Sequence, residues 1–435
     1  MTWSSERGDN GSEIAGIIER LDRLAGYTDE PGRITRLPLT PAHRDAILAT
    51  LGWMEEAGMI AGVDAAANVV GRYEGRVPGA PALVLGSHLD TVRDGGRFDG
   101  ALGVVLAVAT VERLHRRGLR LPFAIEVVGF GDEEGVRFGT GLLGSRFTAG
   151  LTRPGDLERR DQDGITVGAA LDGFALHDLP GGGAARLSPA PLAYVEVHIE
   201  QGPVLERLGA PLGCVTAISG QTRLAVRLDG AAGHAGTVPM AGRRDALAGA
   251  AECVLAVERI CAGDNVVGTV GSIRVEPDAG NVIPGAARVS LDVRAAENAY
   301  REAAVAEIEA AFIETTARRG LGLTITKLSD VAATPCAPWL VEALARAAET
   351  AMGGPAPLLP SGAGHDGIAM SAIAPVGMLF VRCRAGLSHH PDEFAETSDI
   401  AAALAALEAF VLTFDPSAAR SGTTPRRAAS PQSSF

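Results

Sequence analysis

The sequence predicts an α/β main domain, a mixed sheet flanked by helices, interrupted by a smaller α+β domain. Three observations carry this. Between Gly11 and Ile199, short apolar runs such as Ala82-Leu83-Val84-Leu85 alternate with segments of helical spacing. At Thr222 the texture changes to the alternation of a half-exposed strand, Thr222-Arg-Leu-Ala-Val-Arg-Leu-Asp. After Thr334 the first texture returns. At 435 residues the chain also exceeds one ordinary core, so two domains are expected.

The elements follow in order. Gly11–Ala25 and Pro41–Ala57 have helical spacing, and Thr40 is placed to cap the second. Asn68–Tyr73, Ala82–Ser87 and Phe123–Phe130 read as strands, Gly103–Arg117 as a helix apolar enough to be buried, and Tyr194–Ile199 as a strand carrying His198. In the insertion, the strand from Thr222, a helix over 243–260, strands Val266–Val275 and Ala287–Arg294, and helix Glu297–Arg319 fit the first five elements of strand-helix-strand-strand-helix-strand. That is the order of a ferredoxin-like sandwich. The main domain resumes with helix Trp339–Met352, strand Val376–Val381 and helix Asp399–Phe414. The expected division is 1–218 with 331–415 for the main domain, 219–330 for the insertion, and a disordered tail at 416–435, rich in Ser, Pro, Ala and Arg.

Composition narrows the function. An apolar fraction of 46% and a charged fraction of 21% are those of a globular protein. A net charge of -13 argues against nucleic acid and anionic membranes as partners. No apolar run is long enough to span a bilayer, and the opening residues lack the charged and apolar regions of a signal peptide. The five cysteines, Cys214, Cys253, Cys261, Cys336 and Cys383, form no CxxC pair and read as reduced thiols. A cytoplasmic protein is expected.

The chemistry concentrates at strand ends. The run Ala82–Leu85 leads into His88 and Asp90, then through a glycine-rich loop to Asp99. Ile125–Phe130 leads into Asp132-Glu133-Glu134, Tyr194–Ile199 carries His198, and Gly386-Leu-Ser-His389 lies beyond Val376–Val381. Open α/β sheets place their sites there. A lone histidine is more often structural than a ligand, so the shared placement is what counts. His88 and Asp90, two apart on extended chain, point the same way, which suits a ligand with Asp90 holding its other ring nitrogen. Asp99 can turn its two oxygens to two metals. Of Glu133 and Glu134, one can bind metal while its neighbour acts as general base. His389 and His390 face opposite ways in extended chain, so only one should ligate. His43, His115 and His177 have surface-like or helical contexts and receive no role.

Seven segments together resemble the M20-type metallohydrolases, and within them the amidase/hydantoinase/carbamoylase branch. They are Ser87-His-Leu-Asp-Thr-Val, Asp132-Glu-Glu-Gly-Val-Arg-Phe-Gly, His198-Ile-Glu-Gln-Gly-Pro-Val-Leu-Glu, Gly233-His-Ala-Gly-Thr-Val-Pro-Met, Gly280-Asn-Val-Ile-Pro-Gly, Ser361-Gly-Ala-Gly-His-Asp and Gly386-Leu-Ser-His. The resemblance spans about residues 15 to 415. It implies two divalent metals, zinc or manganese, one held by His88, Asp99 and His198, the other by Asp99, Glu134 and His389. It implies Glu133 as general base, and His234 as a group that polarises the substrate oxygen. Asn281 and Arg294 would bind substrate, Arg294 pairing with a carboxylate in a bidentate fork. Gln221, Arg223, Gly364 and His365 are further candidates for substrate contact. The implied protein is a homodimer, with the insertion as lid and dimerisation domain. The implied reaction is hydrolysis of a ureido C–N bond in a small carboxylate-bearing substrate. Ser219-Gly-Gln-Thr-Arg-Leu and Phe380-Val-Arg-Cys-Arg are most similar to members acting on allantoate, with N-carbamoyl-L-amino acids as the alternative. Histidine at 198, where peptide-cleaving relatives often carry an acid, counts against an aminopeptidase.

Overall fold

The computed structural model of the chain describes residues 6–421. It divides into two compact units. One runs through Thr216 and resumes at Cys336–Leu359 and from Gly364 onward; the other is Ala217–Pro335 with Pro360–Ala363.

The main unit is built on a mixed sheet. Across it the strands run Ile60–Val63, Val69–Tyr73, Ala124–Phe130, Ala82–His88, Ala193–Ile199, Val376–Val381 and Leu212–Ile218, the last also pairing with Thr334–Pro335 and Leu358–Ser361. The four strands from Ala124–Phe130 to Val376–Val381 are mutually parallel. Every residue of these four is buried, so each reads as a nearly unbroken apolar run. Helix Ala101–Arg116 packs on them and buries every residue from Ala101 to Val111. Register then aligns the chemistry: His88 lies beside Phe130 and His198 beside Phe380, so the ligand candidates collect at the carboxyl ends of neighbouring strands.

Helix Pro41–Glu56 starts where Thr40 accepts a hydrogen bond from the His43 N–H. Its His43 is fully buried, contrary to the surface-like context expected for it. Nδ1 accepts from the Leu39 N–H, and burial, aided by the Arg36 and Arg137 charges, lowers the pKa to about 3. Several elements escaped the sequence reading, strands Ile60–Val63 and Leu358–Ser361 among them. Another is the strand Leu212–Ile218, an apolar run with no ligand-type residue at its end. Helices Leu143–Thr148, Val167–Gly173 and Val204–Leu208 are too short to show a 3.6-residue period. Pro416–Ser421 forms a short helix where a disordered tail was expected; the rest of that stretch lies outside the described residues.

The second unit is a four-stranded antiparallel sheet, in the order Gly322–Val331, Gly220–Asp229, Ala286–Ala295, Val267–Glu276. Helix Ala246–Ile260, capped by Asp245, and helix Asn298–Arg319, ended by Gly320 at φ 64°, complete the ferredoxin-like order. Leu224, Val226, Leu228, Val289, Leu291 and Val293 meet Cys253, Val257, Ile308 and Phe312 in its core. Alternation leaves Gln221, Arg223, Asp292 and Arg294 together on the opposite face. A two-stranded ribbon, Gly233–His234 against Val282–Ile283, projects from the same unit. Among the described residues no helix is long and apolar enough to cross a membrane.

Candidate metal centre

Four chain segments bring histidines and carboxylates to one place in the main unit, buried at His88, Asp99 and His198 and open at His389. His88 and His198 come from adjacent strands, and their Nε2 atoms are 3.5 Å apart. Asp99 Oδ1 is 3.0 Å from His198 Nε2 and 3.4 Å from His88 Nε2. The other oxygen, Oδ2, is 3.4 Å from His389 Nε2, which is also 3.3 Å from Glu134 Oε1. His88, Asp99 and His198 thus form one group, and Asp99, Glu134 and His389 a second, with all ligand atoms of each within 4.8 Å of one another. Asp99 belongs to both, through different oxygens.

Hydrogen bonds outside the centre fix the tautomers. His88 Nδ1 lies 3.0 Å from the Asp90 carbonyl and His198 Nδ1 2.9 Å from the Ile199 carbonyl. A carbonyl accepts only, so each Nδ1 carries the proton and each Nε2 turns a lone pair inward. Asp99 Oδ1, buried and without a hydrogen-bond partner, faces the same point. Three lone pairs converging in a dry interior repel unless a cation sits among them. The second group says the same: hydrogen bonds to Asp99 and Glu134 raise the His389 pKa to about 10, so this spot favours positive charge. The donor set of imidazoles and carboxylates suits zinc or manganese chemistry.

Asp90 differs from expectation. Its carboxylate is 3.7 Å from His88 Nδ1, too far for a hydrogen bond, and it is the main-chain carbonyl that orients the ring. The carboxylate accepts instead from the Glu133 and Glu134 N–H groups at 3.0 and 3.1 Å. It therefore sets the acidic turn, not the imidazole. Glu133 joins His88 and Glu134 in a third close group. Burial holds its pKa well above the ordinary carboxylate range; His88 opposes this, while Glu134, Asp366 and Asp90 add to it. A carboxylate with a raised pKa, beside the two groups and off the shared Asp99, is a candidate for proton transfer. Asp132, with φ at 61°, turns away and lines an apolar cavity of about 260 Å³ with His43.

Close approach explains two glycines of the loop. A Cβ on Gly100, whose φ is +64°, would lie 2.4 Å from the His88 ring, and one on Gly96 would lie 2.1 Å from Glu393 Oε1. Glu393 was not singled out in the sequence. Its Oε1 accepts from the Phe98 and Asp99 N–H groups at 2.9 and 3.0 Å, and its Oε2 is 3.0 Å from Ser388 Oγ. It ties the Asp99 loop to the His389 loop. Gln201 Nε2 and Ser388 Oγ also reach Asp99 Oδ2, at 2.8 and 2.7 Å. Glu196, fully buried two residues before His198 on the same strand face, accepts from Ser87 Oγ at 2.8 Å and groups with His198 and His365. The one local signal for it was that two-residue spacing.

The remaining candidates fall in two places. In the main unit, His365 is buried with its ring edge-on to His198, centroids 4.5 Å apart. Burial is the main reason its pKa lies well below the usual value, so it packs against a ligand as a neutral ring. Gly364 has ordinary room for a side chain, with Ile368 Cδ1 3.7 Å from a notional Cβ. His390 turns to the Asp392 N–H and away from the centre, while His389 adopts φ 56° to reach it. In the second unit, His234 Nδ1 accepts from the Gly236 N–H at 3.0 Å, which places its proton on Nε2 as a donor. Asn281 stands beside it, its carbonyl accepting from the Ala235 N–H at 3.0 Å. Arg294 lies on the open sheet face with Gln221 and Arg223. Its Nε/Nη2 edge already grips Asp292, so the side-on fork is filled and only the Nη1–Nη2 end can meet a carboxylate.

The chain is similar to known proteins over most of its length. A probable allantoate deiminase of Oryza sativa subsp. japonica is 40% identical over 430 residues, covering 91% of this chain and 87% of that protein. An N-carbamoyl-L-amino-acid amidohydrolase of Pseudomonas sp. (strain NS671) is also 40% identical, over 388 residues, covering 88% and 93%. The crystal structure of a hydantoinase/carbamoylase-family amidase from Burkholderia multivorans matches with a TM-score of 0.87 at 33% identity, over 92% of this chain and 97% of that one. The model for peptidase family M20/M25/M40 matches residues 84–413, which hold every histidine and carboxylate of the two groups. By that match and these identities, the chain belongs to peptidase family M20/M25/M40.

Proposed function

We propose that the chain is a hydrolase with two divalent cations, zinc or manganese, that cleaves a ureido C–N bond, with allantoate as substrate. The observation that carries this is the pair of histidine–carboxylate groups sharing Asp99, with Glu133 beside them and off the shared carboxylate. Bound cations would supply Lewis-acid polarisation and acidify water in the site. Glu133 takes the proton from the attacking water and hands it to the departing nitrogen. His234, protonated on Nε2, donates to the ureido oxygen as negative charge builds there. Asn281 adds a hydrogen bond, and Gln221, Arg223 and Arg294 receive the substrate carboxylate. Water adds to the ureido carbon and the C–N bond to its terminal nitrogen breaks, releasing ammonia; the carbamate left behind loses carbon dioxide as its remaining C–N bond breaks, leaving ureidoglycine.

N-carbamoyl-L-amino acids are the second reading, because a relative named for them is as similar as one named for allantoate. Ammonia release from allantoate and from a panel of carbamoyl amino acids, with manganese and zinc supplied separately, decides between them. Turnover of neither class would end both readings.

The charge at His389 gives a pH dependence. A ligand must shed its proton, and His389 holds one up to about pH 10. Apparent metal affinity at that position should fall about tenfold for each unit the pH drops below about 10. Competition against a chelator at several pH values measures this, and a flat profile would remove His389 from the ligand set.

A homodimer is also proposed. The second unit exposes Leu255 on its helix and Val267 and Ile273 on its edge strand, apolar surface that a second copy would cover. Light scattering at twice the chain mass is the expected result. We place the protein in the cytoplasm, where its five free thiols would stay reduced.

A further inference from the structure

Asp292 sits at the middle of a polar array on the open face of the second unit's sheet. In register, Arg223 lies directly opposite Asp292, and Gln221 opposite Arg294. Asp292 Oδ2 accepts from Gln221 Nε2 at 2.8 Å, Arg223 Nε at 3.0 Å and Arg294 Nη2 at 3.1 Å. Its Oδ1 accepts from Arg294 Nε at 2.9 Å. Arg294 Nη1 in turn donates to the Gly362 carbonyl at 2.7 Å. One carboxylate therefore orients three side chains from two strands. Burial alone would raise its pKa, but the Arg294 and Arg223 contacts prevail and lower it, so the group is anionic at neutral pH. Surface ion pairs add little to stability, so holding the fold together is a poor account of so many bonds on one group.

Two consequences follow from the geometry. The long edge of Arg294 is occupied, so an incoming carboxylate meets its Nη1–Nη2 end in one fixed direction. The charges also nearly cancel: two guanidinium groups against one carboxylate leave a single net positive charge. That is the match for one carboxylate, and a poor match for two.

We propose that Asp292 is the specificity-determining positioning residue of the substrate-carboxylate pocket. It aims Arg223 and Arg294 and holds the pocket at one net positive charge, so that ureido acids with one carboxylate are selected over those with two. This rests on the reading of Gln221, Arg223 and Arg294 as carboxylate binders.

The test is Asp292→Asn in the full chain loaded with manganese. Allantoate, or whichever monocarboxylate the unaltered protein turns over fastest, is compared with N-carbamoyl-L-aspartate. The pocket then carries two uncancelled positive charges. For the monocarboxylate, KM should rise about tenfold with kcat held within about threefold. The ratio of kcat/KM for the dicarboxylate to that for the monocarboxylate should rise about tenfold. Asp292→Glu, which restores charge and acceptors, should return the ratio most of the way. A merely structural role would depress both substrates alike and leave the ratio unmoved. An unchanged ratio, or a loss of both that Asp292→Glu does not mend, would overturn the role of Asp292 while leaving the ureido reading standing. Turnover of no ureido acid by the unaltered protein would overturn both.

Discussion

Glu133→Gln should keep its metals and lose about a thousandfold in kcat, or about 4 kcal/mol of transition-state stabilisation. The amide fills the same space and retains an oxygen, so the turn that carries it should survive. That turn is held from outside, by Asp90 accepting the N–H groups of residues 133 and 134, and these bonds do not use the Glu133 side chain. What the amide lacks is a carboxylate able to take a proton. The environment of Glu133 sharpens the case, because burial pushes its pKa up and the nearby acids reinforce this. Removing one carboxylate from that cluster also relieves repulsion, so the variant should be at least as stable to heat. Metal content by elemental analysis and kcat on allantoate make the measurement. Activity within tenfold of the parent would remove Glu133 from proton transfer. Loss of a metal along with activity would make it a ligand, as its grouping with His88 and Glu134 also permits.

How much of this was legible in the sequence depends on the range of the interaction. Parallel strands buried on both faces are written as unbroken apolar runs, so Ala82–His88, Ala124–Phe130 and Ala193–Ile199 stand out, with their polar ends. The residues brought together at the centre were nominated from those ends. Leu212–Ile218 has the same apolar character but no chemistry at its end, and it went unread. Glu393 was invisible for a different reason. It holds the Asp99 loop from almost 300 positions away in the chain, and no local pattern encodes such a contact. Asp90 shows a third limit. Spacing placed its side chain towards His88, yet the backbone carbonyl won the ring, because the carboxylate had two N–H groups to satisfy in the acidic turn. Asp292 received no role in the sequence. Its role emerges from cross-strand register, which a single strand's sequence does not carry.

Asp99→Ala should empty the centre. Each group depends on this side chain through a different oxygen, so the substitution strikes both at once. Without Oδ1, the His88 and His198 Nε2 atoms remain 3.5 Å apart with two lone pairs facing each other and no negative charge to hold a cation between them. Without Oδ2, His389 keeps only Glu134, and Gln201 and Ser388 lose the acceptor that anchors them. Two ligands on each side are too few for tight binding in a site that needs at least three protein donors. Metal content should fall from about two per chain to less than one, and kcat/KM by at least about ten-thousandfold. The fold should persist, since the main-chain N–H groups of residues 98 and 99 still donate to the Glu393 carboxylate, and these bonds do not use the Asp99 side chain. Asp99→Asn separates charge from shape: it keeps one oxygen and the volume, so it should retain the first group's metal weakly and lose the second's. Two tightly held metals in Asp99→Ala would show that the oxygens of Asp99 do not join the two groups, and the shared-carboxylate arrangement would fall with them.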